Sequence, residues 1–241
     1  MTGLPSLSRA FAILLALGAV GCTDPAIVQD PFATTGELIA FSGGEAGAAG
    51  ACSTCHGTKG TGDGNLAPRI AGLDQGYALR QLEHFASGAR QHPQMYSIAK
   101  ALDGEAREKV TAYYAAMDWA VADARPQPRE IADLCAGAAI YHEGIPAQGV
   151  ASCASCHGAD ALGNAGNPPL AGQSAPYLAH QLDAWASGER YGDAGAAMTS
   201  ISRALHPDDR QAVAAYAASL AGGRGDRALP ETCLRTRRPG R

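Results

Sequence analysis

The sequence contains the same pattern twice, and this internal repeat constrains the fold more than any other feature. The segment CSTCHG at 52–57 returns as CASCHG at 153–158. The stretch QLEHFASGAR at 81–90 returns as QLDAWASGER at 181–190, and QMYSIAKAL at 94–102 returns as AMTSISRAL at 197–205. A unit of about 90 residues in two copies predicts a tandem of two similar domains, since a solenoid needs at least three repeats.

The repeat and the flanking composition divide the chain into five predicted segments. We expect an export signal over 1–21, domain 1 over 33–122 and domain 2 over 131–224. A linker over 123–130 joins the domains, and its two prolines favour an extended path. The Arg-rich tail over 225–241 is either a solvated chain end or a docking strip for an acidic partner or anionic lipid.

Each domain is predicted to be mainly helical. Apolar side chains recur at helical spacing over 77–88 and 105–119, and a further helix is expected over 131–142, ending near Gly144. Pro207 suits the first position of the last helix. The sequence shows no convincing strand alternation or hairpin turn. The predicted fold class is therefore all-α.

The motif C-x-x-C-H in each repeat is typical of covalent haem attachment. Two cysteines one helical turn apart form thioethers with the haem, and the histidine that follows reaches the iron from the same side. The motifs supply Cys52, Cys55 and His56 for one haem, and Cys153, Cys156 and His157 for the other. Redox pairs and four-cysteine zinc sites use similar residues. Because each copy lies inside a full domain repeat, we predict two covalently bound haem c groups.

The repeat also indicates the sixth ligand of each iron. Met95 and Met198 occupy the same repeated segment, and Met198 is the only methionine in domain 2. Met117 has no methionine counterpart and is interpreted as a core filler. Histidine and methionine together raise the reduction potential of a haem iron and leave no axial position for a substrate. This ligand set favours electron transfer over catalysis.

The first residues predict export. Arg9 precedes an apolar run over 10–20, which is shorter than the roughly 20 residues of a membrane-spanning helix. Small residues then precede Cys22, so ordinary signal cleavage and lipidation of Cys22 both stay open. The predicted location is the periplasm, with the protein either soluble or lipid-anchored to a membrane. The formal net charge of −4 disfavours nucleic-acid binding.

The paired C-x-x-C-H-G motifs, the stretch from Pro68 to Arg90 with its counterpart, and the repeated M-x-x-I-x-x-x-L segment resemble dihaem class I cytochromes c, in particular the cytochrome c4 type. The resemblance covers about residues 34–222. It implies two class I cytochrome c folds, each wrapped around one haem, that face each other across a pseudo-twofold axis. It also implies transfer of electrons to respiratory oxidases in the periplasm.

The resemblance gives further expectations about individual residues. A carbonyl near Pro68, and one near Pro168 or Pro169, should accept a hydrogen bond from the proximal histidine. Two tyrosines and two glutamines could pack or hydrogen-bond near the haems or the domain interface, namely Tyr77, Tyr177, Gln81 and Gln181. In the resembled fold the first and last helices of a domain cross, so Cys135 and Cys233 are expected to form a disulfide, with two unpaired thiols as the alternative.

Three functions stay open on these grounds. The favoured one is a periplasmic carrier that moves single electrons between redox proteins such as a cytochrome bc complex, a dehydrogenase or a terminal oxidase. The second is a haem c subunit of a periplasmic dehydrogenase or terminal oxidase complex. The third, a dihaem peroxidase or thiosulfate dehydrogenase, needs an open iron or an unusual ligand, which the paired methionines disfavour.

Overall fold

The computed structural model describes residues 34–118, 131–164, 166–220 and Cys233. In these ranges five helices of the first repeat are α1 Gly36–Ser42, α2 Cys52–His56, α3 Gln75–Ser87, α4 Pro93–Ala101 and α5 Gly104–Ala115. They are matched in order by α6 Ile131–Glu143, α7 Ala154–His157, α8 Ala175–Ser187, α9 Ala197–Ala204 and α10 Pro207–Ser219. The predicted all-α class is confirmed, since the described ranges contain isolated β-bridges but no strand.

Local sequence signals set where the helices begin and end. Helix α3 begins after Asp74, whose side chain accepts a hydrogen bond from the backbone N–H of Tyr77 at 2.7 Å, and it ends at Gly88 with φ of 82°. The helix predicted over 105–119 is shorter, because α5 ends at Ala115. The carbonyl of Tyr114 accepts from the N–H groups of Gly72 and Met117, at 2.8 and 3.2 Å, which turns the chain out of the helix.

The first and last helices of each repeat cross at a glycine. A Cβ on Gly36 in α1 would lie 2.1 Å from the carbonyl oxygen of Lys109 in α5. A Cβ on Gly137 in α6 would lie 2.2 Å from the carbonyl oxygen of Ala212 in α10. Only a residue without a side chain permits two backbones to approach this closely. The helix crossing that the resemblance implies is therefore present in both repeats.

Each repeat has its own hydrophobic core, and the C-x-x-C-H motif packs against it. The first core is built on the buried side chains of Ile39, Leu102, Val110 and Tyr114, with Met117 at its edge as the predicted core filler. Cys52 packs against this core, and Cys153 packs against the equivalent core of the second repeat. The two motifs are thus held in place by the same helices that close each repeat.

A disulfide joins Cys135 in α6 to Cys233. The two Cα atoms are 5.0 Å apart, inside the usual range for a disulfide, and the pair is separated by 98 residues in sequence. The bond fastens the chain beyond α10 to the first helix of the second repeat.

Several predicted segments lie outside the described residues. These are the export signal at 1–21, Cys22, the linker at 123–130 and the tail at 225–241 apart from Cys233. No helix in the described part of the chain is long and apolar enough to cross a membrane.

Candidate functional site

The two C-x-x-C-H motifs form short helices, each followed by a sharp turn. Gly57 and Gly158 come directly after the histidines and have φ of 77° and 82°, which glycine adopts without strain. In each motif the first cysteine is partly buried and the second is exposed. Because a thiolate is poorly solvated in the interior, burial raises the pKa of the Cys52 thiol and raises the pKa of the Cys153 thiol to about 11.

The proximal histidines are held by backbone carbonyls. His56 Nδ1 lies 2.7 Å from the carbonyl oxygen of Pro68, and His157 Nδ1 lies 2.9 Å from that of Pro168. Because a carbonyl only accepts, Nδ1 is the donor in both rings and Nε2 is left for a metal. Of the two prolines considered in the second repeat, Pro168 is the one whose carbonyl accepts this hydrogen bond.

Burial keeps both histidines in the form that binds a metal. His56 and His157 are each 8% exposed. Burial lowers the pKa of both imidazoles, because the charged ring is poorly solvated there, although the proline carbonyls act in the opposite direction. A neutral imidazole is the form that coordinates iron.

Met95 and Met198 line the same cavity as the two motifs. The cavity has a volume of about 1070 Å³ and takes its walls from both repeats. It is larger than the roughly 300–1,000 Å³ that one small ligand usually occupies. Both methionines lie in the first turn of their helices, α4 and α9.

Different side chains bind the backbone N–H groups of the two methionines, which the sequence analysis did not predict. In the first repeat His92 Nδ1 accepts a hydrogen bond from the N–H of Met95 at 3.3 Å. In the second repeat a carboxylate oxygen of Asp193 accepts from the N–H of Met198 at 2.7 Å, and its other oxygen accepts from the hydroxyl of Thr199 at 3.0 Å. Asp193 lies three residues before Ala196, the N-cap residue of α9, so the N-cap position in the sequence does not point to it.

The donors present fit a haem better than a bare metal ion. Among the described residues, no group of three or more His, Cys, Asp or Glu side chains could hold a metal ion. A haem iron already has four ring nitrogens and needs only two axial donors, which a histidine and a methionine supply. The available Nε2 atoms, the paired cysteines and the methionine-lined cavity therefore suit two haems.

The two repeats are joined by buried polar contacts. The side chain of Gln173 accepts from the N–H of Arg69 at 2.9 Å and donates to its carbonyl at 3.0 Å. Arg90 donates to the hydroxyl of Tyr177 at 2.7 Å, and Arg190 donates to that of Tyr77 at 3.3 Å. Both tyrosines thus contact the interface between the repeats.

Comparison with known proteins shows clear similarity to cytochromes. The cytochrome c family model matches residues 134–221. The thiosulfate dehydrogenase electron acceptor of Stutzerimonas stutzeri is 42% identical over 190 residues, which is 78% of this chain and 87% of that protein. Cytochrome c4 of Pseudomonas aeruginosa is 30% identical over 189 residues, which is 76% of this chain and 92% of that protein.

A solved structure extends the similarity to the fold. Thiosulfate dehydrogenase (TsdBA) from Marichromatium purpuratum has a TM-score of 0.69 and 38% sequence identity with this chain. The match covers 78% of this chain but only 41% of that longer chain. The similarity therefore concerns one part of the solved protein.

These similarities establish the class of protein. The curated relatives are named as an electron acceptor or as cytochrome c4, and the class I cytochrome c fold is shared with solved cytochrome c4 structures. Proteins of this family bind covalent haem c, and the tandem repeat accounts for two such groups. The chain is an electron carrier rather than an enzyme, and it belongs to the cytochrome c4-like family of dihaem c-type cytochromes.

Proposed function

We propose that the chain is a periplasmic dihaem cytochrome that accepts electrons from a thiosulfate-oxidising dehydrogenase and passes them to a respiratory-chain partner. The observation that carries the proposal is the 42% identity to a protein named thiosulfate dehydrogenase electron acceptor. The similarity to one part of a solved thiosulfate dehydrogenase chain supports it. The export signal predicted over 1–21 supports a periplasmic location, with lipidation at Cys22 as a route to membrane anchoring.

The proposal assigns four residues to each haem. The attaching cysteines and the axial ligands are Cys52, Cys55, His56 and Met95 for the first haem, and Cys153, Cys156, His157 and Met198 for the second. When bound, haem c supplies a one-electron iron couple. The assignment is supported by the available Nε2 atoms of the two histidines and by the cavity that all four axial residues line.

The residues that contact the proposed ligands determine the properties of each iron site. The carbonyls of Pro68 and Pro168 fix the imidazole rings and increase their basicity as ligands. The hydrogen bonds from the N–H groups of Met95 and Met198 to His92 and Asp193 hold the first turn of each methionine helix in place. With a histidine and a methionine as its two protein ligands, each iron would have no position open to a substrate, as a carrier requires.

The number of haems fits the proposed donor. Joining two thiosulfate ions into one tetrathionate ion releases two electrons and no protons. Two bound haem c groups would together take up two electrons, one for each iron. One molecule of the carrier can therefore take both electrons from one turnover of the dehydrogenase.

A reconstituted reaction tests the proposal. The holoprotein is mixed with thiosulfate alone, with a thiosulfate dehydrogenase alone, and with both, and reduction of its haems is followed by absorbance. We expect full reduction only with both present. Reduction by thiosulfate alone would show that the haems need no dehydrogenase as their electron donor, and a failure of the complete mixture would reject this donor.

A second candidate is a permanent haem subunit of the dehydrogenase. It is favoured by the solved chain in which the matching part occupies 41% of a longer polypeptide. Co-purification from native membranes separates the two cases. A subunit should elute with the dehydrogenase at a fixed ratio, whereas a carrier should elute alone and exchange electrons with a cytochrome bc complex or terminal oxidase as well.

A further inference from the structure

The connection that precedes Met198 is longer than the one that precedes Met95. Gly88 and Gly188 end the equivalent helices α3 and α8, with φ of 82° and 87°. Six residues separate Gly88 from Met95, whereas nine separate Gly188 from Met198. Because the two connections differ in length, each has to begin its methionine helix in its own way.

The shorter connection begins α4 with local signals. His92 is the N-cap residue, and Pro93 directly after it is the first residue of the helix. The proline ring fixes φ close to its helical value, so the backbone of the first turn is preorganised. The N–H of Met95 also donates to His92 Nδ1 at 3.3 Å. The turn that carries Met95 is therefore held by a rigid backbone as well as by a side chain.

The longer connection begins α9 without these signals. Its N-cap residue is Ala196, which makes no side-chain capping hydrogen bond and is followed by alanine rather than proline. Ala196 has φ of 53°, and Gly195 before it has φ of 64°. The left-handed conformation is unfavourable for a residue with a Cβ, and glycine loses more backbone freedom than other residues. The start of α9 therefore needs stabilisation from elsewhere in the chain.

Asp193 supplies this stabilisation from outside the helix. One carboxylate oxygen accepts from the N–H of Met198 at 2.7 Å, and the other accepts from the hydroxyl of Thr199 at 3.0 Å. The backbone carbonyl of Asp193 accepts from the N–H of Ala196 at 3.0 Å. A carboxylate forms stronger hydrogen bonds than a neutral acceptor and is favoured at the N-terminal end of a helix. One residue thus fixes both the left-handed alanine and the backbone of the methionine.

Asp193 and Met198 line the same cavity as His157. We propose that Asp193 is a positioning residue that keeps the sulfur of Met198 on the iron of the second haem. The proposal rests on the proposed haem ligands. A methionine side chain has three rotatable bonds, so the position of its sulfur depends on how firmly its backbone is held. The first repeat has no equivalent need, because Pro93 preorganises the turn that carries its methionine.

Positioning and charge predict opposite changes in the reduction potential of the second haem. A negative charge near an iron favours the oxidised state, so removing the carboxylate would by itself raise the potential. Ligation by methionine raises the potential, so releasing Met198 lowers it. The direction of the change on replacing Asp193 therefore shows whether the residue acts through Met198 or through its charge.

The oxidised holoprotein with Asp193→Ala tests the positioning role, with imidazole as the probe for an open iron. We expect this variant to lose most of one haem's share of the methionine–iron charge-transfer band. One haem should bind imidazole at least about tenfold more tightly, since a hydrogen bond to a charged group contributes at least this factor to an equilibrium. The potential of that haem should fall. Asp208→Ala is the control, because this acidic side chain of the same repeat is 93% exposed in the first turn of α10, and it should match the wild type.

The conservative variant Asp193→Asn separates hydrogen bonding from charge. Its amide oxygen can still accept from the N–H of Met198, so the band and the imidazole affinity should stay near those of the wild type, and the potential should not fall. An asparagine variant as open to imidazole as the alanine variant would overturn the positioning role. A rise in potential in the alanine variant would overturn it too.

A milder variant guards against misfolding of Asp193→Ala. Thr199→Val removes only the hydroxyl that donates to the carboxylate, with little change of shape. It should increase imidazole affinity at one haem by a smaller factor than Asp193→Ala does. No increase in this variant, in protein that carries two haems by intact mass, would contradict the proposed role of the carboxylate.

Double variants identify the haem that responds. Asp193→Ala added to Met198→Ala should leave the charge-transfer band unchanged, whereas added to Met95→Ala it should remove most of the remaining band. A further loss in the Met198→Ala background would place the effect at the first haem and overturn the proposal. If Met198→Ala itself keeps the full band, the proposed ligand set fails. If Met198→Ala loses its share but Asp193→Ala changes neither band nor imidazole binding, only the positioning role fails.

Discussion

Replacing Gly137 by alanine should destabilise the second repeat. The added Cβ would lie 2.2 Å from the carbonyl oxygen of Ala212, 2.7 Å from its carbonyl carbon and 2.9 Å from the Cβ of Tyr216. Alanine gains about 1 kcal/mol of helix propensity over glycine. Overpacking usually costs about 1–3 kcal/mol, and a clash with backbone atoms lies at the upper end because they cannot rotate away. We therefore expect a net loss of about 2 kcal/mol in the free energy of unfolding.

Denaturant unfolding of the holoprotein, followed by circular dichroism and haem absorbance, measures this loss. Gly104→Ala is the matched control, because a Cβ at this first residue of α5 meets no atom within 4 Å. The control should be neutral or stabilised by up to about 1 kcal/mol. Gly36→Ala should behave like Gly137→Ala. If Gly137→Ala were as stable as the control, the close crossing of α6 and α10 would be wrong.

Three further predictions concern the covalent and coordinate bonds. Mature protein made with haem-attachment machinery should carry two covalent haems by intact mass, and one haem or none would refute the assignment. Met95→Ala and Met198→Ala should each lower one reduction potential and remove one haem's share of the ferric methionine–iron charge-transfer band, and a variant that keeps the full band would reject that ligand. Peptide mapping without reductant should recover Cys135 bonded to Cys233, and free alkylation of both thiols would contradict the bond. Removal of this disulfide should lower the free energy of unfolding by on the order of 4 kcal/mol for a loop of this length.

The sequence predicted the features that depend on short-range spacing. The C-x-x-C-H motifs form a helical turn with the histidine at its end, as the chemistry of thioether attachment requires. The helix over 77–88 was predicted within two residues of its start, because its apolar spacing and Gly88 are local signals. The repeat then extended these inferences to the second half of the chain and selected Met95 and Met198 as candidates.

The features that depend on tertiary contacts could not be predicted in the same way. Helix α5 ends before residue 119 because its Tyr114 carbonyl bonds to the distant Gly72, which no local pattern reveals. Arg90 donates hydrogen bonds to Tyr177 and Gln181, which lie 87 and 91 positions later in the sequence. In the sequence, Arg90 and Arg190 are recognisable only as a repeated position. Only the structure shows that both are buried side by side where the two repeats meet.

The disulfide in the second repeat makes the order of chemical steps matter during maturation. Its loop encloses Cys153 and Cys156, so the second repeat and the segment after it contain four cysteine thiols before maturation, whereas the first repeat contains two. In the proposed periplasmic location these thiols are open to oxidation. Haem attachment consumes the two enclosed thiols and leaves Cys135 and Cys233 as the remaining pair. Early oxidation instead permits mispaired bonds that block attachment. The two domains share one fold but differ in how their assembly can fail. Only in the second must the cysteines that attach the haem stay separate from those that form the disulfide.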